Sequence, residues 1–243
     1  MADDVAGADD ATAADDSVVA DDPGLTGQPP RLVLASASPA RLTTLHHAGL
    51  LPEAIVSGVD ESGLSHLAPR DVARRLATLK AEAVAARLTD AAAGAAPAPE
   101  VTIVIGCDSV LGLDGHAFGK PGTPEVARQR WRSMRGRSGV LHTGHHVIVR
   151  RGQQTRTRTE VAGTVVHFAD LSDAEIDAYV ATGEPLEVAG AFTVDGLGGA
   201  FVTGLEGDHH NVVGISLPLL RVMLGELDVR WTDLWTGPDE PTA

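Results

Sequence analysis

The chain of 243 residues contains one cysteine, few aromatic residues and no long apolar run. Each of these shortages excludes certain structural features or classes of protein. Cys107 has no partner for an internal disulfide, which suits a reducing compartment. No stretch reaches the roughly 18 apolar residues of a membrane-spanning helix, and no basic segment followed by an apolar run resembles a secretory signal. With only 3% aromatic residues, the core must consist mainly of alanine, valine and leucine. We therefore expect one cytoplasmic domain that does not associate with membranes.

Lysine is also scarce, because 17 of the 19 basic residues are arginine. The two lysines are Lys80 and Lys120. A lysine presents a compact, flexible ammonium, which the planar guanidinium of arginine does not replace everywhere. The count alone fits two ordinary surface lysines equally well, so the interpretation depends on the motifs around them.

Acidic residues give the chain a net charge of −14, and many of them cluster at the N-terminus. Residues 1–30 contain eight aspartates, in four pairs, and no lysine or arginine. Such a segment cannot bury enough apolar surface to become ordered, so we predict a disordered acidic tail. The remaining chain has 25 acidic and 19 basic residues, a net charge of −6. This balance argues against nucleic-acid binding but allows a small anionic ligand in a local basic cleft.

From residue 31 onward, strand and helix patterns alternate, which predicts an α/β fold. Predicted strands cover 31–35, 55–60, 101–106, 140–150 and 161–168, and predicted helices cover 42–51, 69–88, 124–134, 173–181 and 217–227. The alanine- and proline-rich stretch at 90–99 is predicted to be a surface insertion. We expect a catalytic domain over 31–230, followed by a C-terminal extension over 231–243.

A loop rich in hydroxyl groups follows the first predicted strand. Its sequence, S-A-S-P-A-R at 36–41, places Ser38 as a helix N-cap and Pro39 at the first helical position. The free backbone N–H groups of such a helix start could hold a phosphate, with Ser36 and Arg41 as further donors. An ordinary capped helix without a ligand explains the same residues.

Asp108 follows the clearest buried strand of the sequence, V-T-I-V-I-G at 101–106. An acid at the point where a buried strand emerges occupies a usual catalytic position in an α/β sheet. A turn-forming aspartate is the alternative. The apolar run resumes at 110 and 111, which a simple turn explains poorly.

Several common functional motifs are absent from the sequence. The only Gly-Lys is followed by proline, which excludes a P-loop, and neither a helix-opening G-x-G-x-x-G nor a G-x-S-x-G is present. Three His-His pairs, at 46–47, 145–146 and 209–210, lack the spacing of zinc ligands. Because adjacent side chains on one element point in different directions, we interpret these histidines as structural or solvated.

Six segments in order resemble the Maf family of nucleoside triphosphate pyrophosphatases, once described as septum-formation inhibitors. They are S-A-S-P-A-R at 36–41, V-D-E at 59–61, K-A at 80–81, C-D-S-V at 107–110, G-K-P at 119–121, and G-E-P at 183–185 with A-G at 189–190. The resemblance covers about 31–225. It implies an elongated mixed sheet with flanking helices, in two lobes around a cleft, as in inosine triphosphatases. A homodimer would be in keeping with the family.

The resemblance implies hydrolysis of a nucleoside triphosphate to a monophosphate and pyrophosphate. Asp108 would then be the general base that takes a proton from the attacking water. Glu61 and Asp108 would hold a divalent cation, Mg²⁺ or Mn²⁺. Lys80 and Lys120 would neutralise charge on the reacting phosphates.

The resemblance also implies a set of substrate-binding positions, namely Ser36, Ser38, Arg41, Ser109 and Asp195. Three positions differ from the residues frequent in the family: Ala40 replaces an arginine, Ser109 a threonine and Asp195 a glutamine. These positions are associated with base choice, so the preferred nucleobase, including a modified one, is left open.

Two other functions fit the same residues. One is a non-catalytic, nucleotide-binding regulator of cell division, and the other is a phosphatase acting on another phosphorylated small molecule. The regulator would be favoured by loss of Glu61, Lys80 or Asp108, all of which are present. The phosphatase would need no base-sized pocket beside the phosphate loop.

Overall fold

The computed structural model describes residues 29–64, 66–92 and 99–235. The strands are β1 (Arg31–Leu34), β2 (Glu53–Ala54), β3 (Val101–Leu113), β4 (His116–Phe118), β5 (Ser138–Arg151), β6 (Gln154–Phe168) and β7 (Val202–Glu206). The helices are α1 (Pro39–His47), α2 (Pro69–Ala92), α3 (Pro124–Met134), α4 (Asp173–Ala181), α5 (His209–Val213) and α6 (Leu217–Glu226). Three stretches lie outside the described residues: residues 1–28 of the acidic tail predicted over 1–30, residues 93–98 of the predicted insertion, and residues 236–243 of the predicted C-terminal extension.

The strands form one mixed, seven-stranded sheet in the order β2-β1-β3-β5-β6-β7. The long strand β3 is antiparallel to β5 along nearly its whole length, from Val101 to Gly112. On its other edge, β3 pairs first with β1, in parallel as far as Ile105, and then with the short antiparallel β4 from Leu111. This mixed α/β sheet with flanking helices agrees with the predicted fold class.

A gap therefore opens along one edge of β3. Between the pairing with β1 and the pairing with β4, residues 106–110 have no strand beside them on that edge within the described residues. Ala35 closes the β1 side with a hydrogen bond from its backbone N–H to the carbonyl of Ile105, 2.8 Å long. The gap leaves the middle of the central strand without a strand partner on that edge, as far as the structure describes the chain.

Alternating side chains of β3 serve different parts of the core. Ile103 and Ile105 pack into a cluster with α1 and α6, whereas Val104 and Val110 face α2 on the opposite side of the sheet. Beyond the gap, Leu111 joins a second cluster with α3 and α4. The first of these clusters therefore lies along the start of β3 and the second along its end.

Helix α2 lies unusually close to the sheet because two glycines face it. A Cβ atom at Gly106 would collide with the carbonyl oxygen of Ala77, and one at Gly144 would collide with that of Ala73. Such close approach of two backbones requires glycine. The two glycines thereby fix where α2 rests on β3 and β5.

Helix starts agree with the caps that the sequence predicts. Ser38 accepts a hydrogen bond from the backbone N–H of Arg41 at the start of α1, and Thr123 caps α3 in the same way. Ser172 and Glu175 form the predicted capping box of α4. No helix in the described part of the chain is both long and apolar enough to cross a membrane.

The structure corrects several predicted boundaries. Strand β3 does not end at 106 but continues to Leu113, because the apolar residues after Asp108 pair with β5. Asp108 therefore lies within a strand rather than at its end. The strand predicted at 55–60 is wrong, since positive-φ Gly58 interrupts it and the strand there is only Glu53–Ala54. The helix predicted to end at 88 continues to Ala92.

Candidate active site

The gap along β3 is the place where the predicted site residues gather. Ser36 follows the carboxyl end of β1, and Lys120 follows the carboxyl end of β4. Because β1 runs parallel and β4 antiparallel to β3, these two ends approach residues 106–110 from opposite directions. Asp108 and Ser109 lie in the gap itself. The topology thus assembles one site from segments that are far apart in sequence.

Lys80 links two carboxylates at this site. Its ammonium forms a short ion pair with Asp108, and it lies 2.7 Å from Oε1 of Glu61. The side chains of Lys80 and Asp108 are only 12% and 10% exposed, while that of Glu61 is 54% exposed. The structure therefore brings together three of the four residues predicted to be catalytic.

The electrostatic setting of Asp108 favours proton uptake. Burial raises the pKa of its carboxyl above the ordinary value, and nearby Lys80 and Arg41 counteract only part of that rise. A carboxylate with a raised pKa is a stronger base than one in open solvent. The neighbouring Cys107 thiol points into the core, and burial raises its pKa to about 12, which keeps it protonated.

Arg41 is the centre of a second group. Its buried guanidinium donates from Nε to the carbonyl of Gly214 at 2.7 Å, from Nη1 to Oγ of Ser36 at 3.0 Å, and from Nη2 to Oγ of Ser109 at 3.0 Å. The predicted phosphate loop and Ser109 are thus joined through one side chain. Ser38 lies in the same loop, where its backbone N–H donates to Ser36 Oγ at 3.2 Å.

The two groups lie on opposite faces of β3, because consecutive strand residues point to opposite sides. Asp108 faces α2 and Lys80, whereas Ser109 faces Arg41. Arg41 nevertheless lowers the pKa of Asp108, so the groups interact electrostatically. The open edge between them is where one ligand could contact both.

Lys120 and Asp195 are not joined to these groups. Lys120 is 63% exposed and lies 3.5 Å from Glu187, at the far side of the gap. Beside it, Arg130 stacks over the ring of Phe118, with 5.3 Å from the guanidinium carbon to the ring centroid. Asp195 is exposed, and it forms no hydrogen bond or ion pair with any residue that the structure describes. Its predicted contact with a substrate stays a prediction.

Glu184 is a structural residue that the sequence reasoning missed. Its carboxylate accepts hydrogen bonds of 2.9 Å from the Tyr179 hydroxyl and the Leu197 and Gly198 backbone N–H groups, and another from Thr193. Burial raises the pKa of Glu184, but these donors outweigh it and leave the pKa below its ordinary value. Glu184 therefore holds the glycine-rich segment together. The G-E-P motif at 183–185 is the available signal, but the sequence analysis uses it only as one of the six segments of the family resemblance.

A buried polar network behind Ser109 was also missed. Ser109 Oγ lies 2.9 Å from Thr143 Oγ1, which donates to the carbonyl of Asn211 at 3.0 Å. Asn211 is fully buried, and its side-chain amide donates to Leu141 and Thr164. The network connects the sheet to the segment that follows β7. No local motif predicts it, because its members come from distant parts of the chain.

The chain is similar to known proteins over most of its length. A "Nucleoside triphosphate pyrophosphatase" of Cutibacterium acnes is 57% identical over 206 residues, which cover 85% of this chain and 95% of that protein. Proteins with the same name from Streptomyces avermitilis and Salinispora tropica are 53% and 55% identical, over 87% and 86% of this chain and 98% and 88% of theirs. The family model for "Maf-like protein" matches residues 31–227. With most of its length matched by that model, the chain belongs to the Maf family.

Proposed function

We propose that this chain hydrolyses nucleoside triphosphates to nucleoside monophosphates and pyrophosphate. The observation that carries the proposal is the gap along β3, where a buried, lysine-paired Asp108 on one face adjoins the Arg41 group on the other. The name shared by the relatives supports the same reaction. Modified nucleotides are included among the candidate substrates, because nothing in the geometry selects a base.

Asp108 acts as the general base in this proposal. Its raised pKa strengthens it as a proton acceptor, and Lys80 orients the carboxylate through their ion pair. A water in the gap loses its proton to Asp108 as its oxygen attacks the phosphorus that will remain with the nucleoside. The bond to the pyrophosphate oxygen then breaks.

The cationic side chains stabilise the negative charge that this reaction places on phosphate oxygens. Three of the five N–H groups of Arg41 bond to Gly214, Ser36 and Ser109, which leaves two for the ligand as far as the described residues are concerned. Lys80 lies beside the base, and Lys120 stands across the gap. We assign Lys120 to the leaving pyrophosphate, because its exposed ammonium can reach a ligand without losing buried partners.

A divalent cation fits this site as a partner of the nucleotide. Glu61 and Asp108 both contact the ammonium of Lys80, so two carboxylates already face one cation-sized position. No group of three or more metal-binding side chains occurs in the part of the chain that the structure describes. Mg²⁺ is commonly held by one or two carboxylates together with substrate phosphates. Glu61 and Asp108 would hold Mg²⁺ or Mn²⁺, which would neutralise phosphate charge.

The proposal includes a cellular setting. A cytoplasmic location gives access to nucleoside triphosphates, and the single buried Cys107 suits a reducing compartment. We include a homodimer on the strength of the family resemblance, and light scattering on the purified protein tests it. We expect no role for nucleic acid, since the net charge outside residues 1–30 is −6.

The decisive experiment assays a panel of standard and modified nucleoside triphosphates with Mg²⁺ or Mn²⁺, measuring pyrophosphate and orthophosphate separately. We expect pyrophosphate from at least one nucleotide. Asp108→Asn should reduce the rate by about 10²-fold or more, the usual contribution of a general base. Asp114→Asn is the matched control, because Asp114 is an exposed hairpin residue paired with Arg137.

Release of orthophosphate alone would favour a phosphatase, and binding without any release would favour a nucleotide sensor. Full activity in Asp108→Asn would refute the assignment of the base while leaving the reaction intact. Equal losses in Asp108→Asn and Asp114→Asn would point to a general loss of folded protein, which circular dichroism of both variants detects.

A further inference from the structure

A buried histidine that the proposed mechanism does not use lies directly behind the Arg41 group. His145, on β5, is fully buried. Its Nδ1 lies 3.0 Å from the carbonyl oxygen of Thr143, and its Nε2 lies 2.8 Å from the backbone nitrogen of Ser216. Since a backbone N–H can only donate, Nε2 must be the acceptor, and Nδ1 carries the proton that is donated to Thr143.

The protonation state supports this arrangement. Burial, aided by the positive charge of Arg41, lowers the pKa of His145 to about 4, so the imidazole is neutral at physiological pH. A neutral ring has one donor and one acceptor, and both are used here. His145 therefore acts as a rigid connector between its own strand and the backbone at Ser216.

Ser216 belongs to a short corner, residues 211–216, which comprises the end of α5 and its link to α6. The corner also supplies the carbonyl that binds Arg41. Gly214 accepts the Nε hydrogen bond of Arg41 at 2.7 Å. Asn211 anchors the other end of the corner by donating to Leu141 and Thr164. The corner is thus attached to the sheet at both ends, with Gly214 between the two attachments.

We propose that His145 is a positioning residue of the phosphate site, which holds the 211–216 corner so that the carbonyl of Gly214 orients the guanidinium of Arg41. The argument rests on the proposed function insofar as Arg41 is taken to bind phosphate. Without the bond from Ser216, the corner loses one of its two attachments. The Arg41 guanidinium then loses the fixed acceptor on Nε, and only its hydrogen bonds to Ser36 and Ser109 hold it. Displacing a group that binds the phosphate equally in the bound substrate and in the transition state raises KM and leaves kcat nearly unchanged.

The neighbouring histidine provides a matched control. His146 is also buried on β5, but it points to the opposite face, where its Nδ1 lies 2.6 Å from Thr159 Oγ1. It makes no hydrogen bond to the 211–216 corner among the described residues. A comparison of His145→Leu with His146→Leu therefore separates positioning of Arg41 from general support of the strand.

The test measures kcat and KM for a nucleoside triphosphate, and thermal unfolding, for both variants in the full chain. We expect His145→Leu to raise KM about tenfold and to change kcat by less than about threefold, as expected for a lost binding geometry. His146→Leu should leave KM within about twofold of the wild type, even if its unfolding temperature falls as much as that of His145→Leu. Equal KM values in the two variants at similar stability would overturn the proposal.

A second measurement keeps the proposal independent of turnover. In an Asp108→Asn background, calorimetry with a non-hydrolysable nucleoside triphosphate analogue should show about tenfold weaker binding for His145→Leu and unchanged binding for His146→Leu. This readout remains valid if no nucleotide is hydrolysed, in which case the proposed reaction fails while the role of His145 is still decided. If His145→Leu does not fold, His145→Phe and His146→Phe are compared in the same way, because phenylalanine keeps a ring but has no hydrogen-bonding atom. Unchanged binding in His145→Phe together with wild-type unfolding would contradict the positioning role.

Discussion

The ammonium of Lys80 lies 2.7 Å from Oε1 of Glu61, while the same ammonium is paired with Asp108. The Lys80 side chain therefore lies between Glu61 and Asp108, the two carboxylates that we propose as ligands of a divalent metal. This relationship has a consequence for metal binding in the absence of nucleotide. The ammonium repels a second cation, so the free protein should bind Mg²⁺ or Mn²⁺ weakly.

Removing that ammonium should increase metal affinity while destroying activity. We expect Mn²⁺ to raise the unfolding temperature of Lys80→Met more than that of the wild type, because a ligand that binds only the folded state stabilises it. Nucleotide hydrolysis should fall by about 10²-fold or more, since a charge-stabilising group is lost. Thermal unfolding at increasing Mn²⁺ concentrations, without nucleotide, provides the measurement.

Lys120→Met is the control for this experiment, because Lys120 is the other lysine of the chain and pairs with the exposed Glu187. Its unfolding temperature should respond to Mn²⁺ as the wild type does. If Mn²⁺ raised the unfolding temperature of Lys80→Met no more than that of the wild type, the Lys80 ammonium would not occupy the metal position.

Gly214 should not tolerate a side chain. Its φ of +130° is unfavourable for other residues, and a Cβ there would lie 3.1 Å from Nε of Arg41. We expect Gly214→Ala to destabilise the protein by roughly 1–3 kcal/mol and to raise KM for the nucleotide. Urea unfolding and steady-state kinetics measure the two effects.

Gly225→Ala is a matched substitution in the same region, since Gly225 lies within α6 and a Cβ there meets no atom within 4 Å. It should leave KM unchanged and stabilise the helix by about 0.5–1 kcal/mol. A Gly214→Ala enzyme with wild-type KM would show that the position of Arg41 does not depend on this corner.

Gly106 should be equally sensitive, but through the position of α2. A side chain at Gly106 would meet the backbone of Ala77 and the Cβ of Ala81. These residues flank Lys80 on α2, so a shift of the helix would move Lys80 away from Asp108. We expect Gly106→Ala to cost about 3 kcal/mol, at the upper end of overpacking, and to lower kcat. Denaturant unfolding and the rate of pyrophosphate release are the measurements.

Gly163→Ala serves as the control for Gly106→Ala. Gly163 lies on β6, and its added Cβ would be in ordinary contact, 3.5 Å from His142. Stability and kcat should change little. If the two variants behaved alike, the helix would be able to move without disturbing Lys80, and the close approach would have no part in forming the site.

The Glu184 carboxylate gives a prediction about pH. Its folded-state pKa lies below the ordinary value, so the stability that it contributes is present above the unfolded pKa and is lost as pH falls through the folded pKa. Glu184→Gln should therefore be less stable than the wild type at pH 7, by roughly 1–2 kcal/mol for weakened charged hydrogen bonds. The difference should shrink below about pH 4, near the ordinary value for glutamate.

Urea unfolding of the wild type and Glu184→Gln from pH 3 to pH 8 tests this sign. Glu187→Gln, which changes an exposed carboxylate on the same segment, should show no comparable pH-dependent difference. A Glu184→Gln deficit that stayed constant or grew toward low pH would mean that the carboxylate is not ionised in its contacts.

Much of the site could be predicted from the sequence, because its residues sit in short motifs with local signals. Local signals identify three segments of the site: the helix cap at Ser38, the apolar run before Asp108 and the isolated Lys80. The structure places these three segments around one gap. The position of Asp108 within β3 was missed. A strand boundary depends on pairing with β5, which is a long-range contact that no local pattern records.

The missed residues share a physical property. His145 and Asn211 act through hydrogen bonds to residues more than 40 positions away, and Glu184 acts on backbone N–H groups of a later turn. Such partners become visible only when the chain is folded. The interpretation of the pair at 145–146 as structural or solvated rests on the missing zinc-ligand spacing and on the opposite directions of adjacent side chains. Neither distinguishes a histidine that supports a strand from one that supports a neighbouring arginine.

The close contact of α2 with Gly106 and Gly144 affects which substitutions the chain can accept during evolution. Contact there is between main chains, which have no alternative rotamers, whereas the surrounding core of alanine, valine and leucine can exchange one residue for another and readjust. Core substitutions are thus absorbed by side chains before they reach Lys80. We therefore expect the spacing between helix and sheet to withstand substitutions in the core that conserve volume, while a side chain at either glycine would change it.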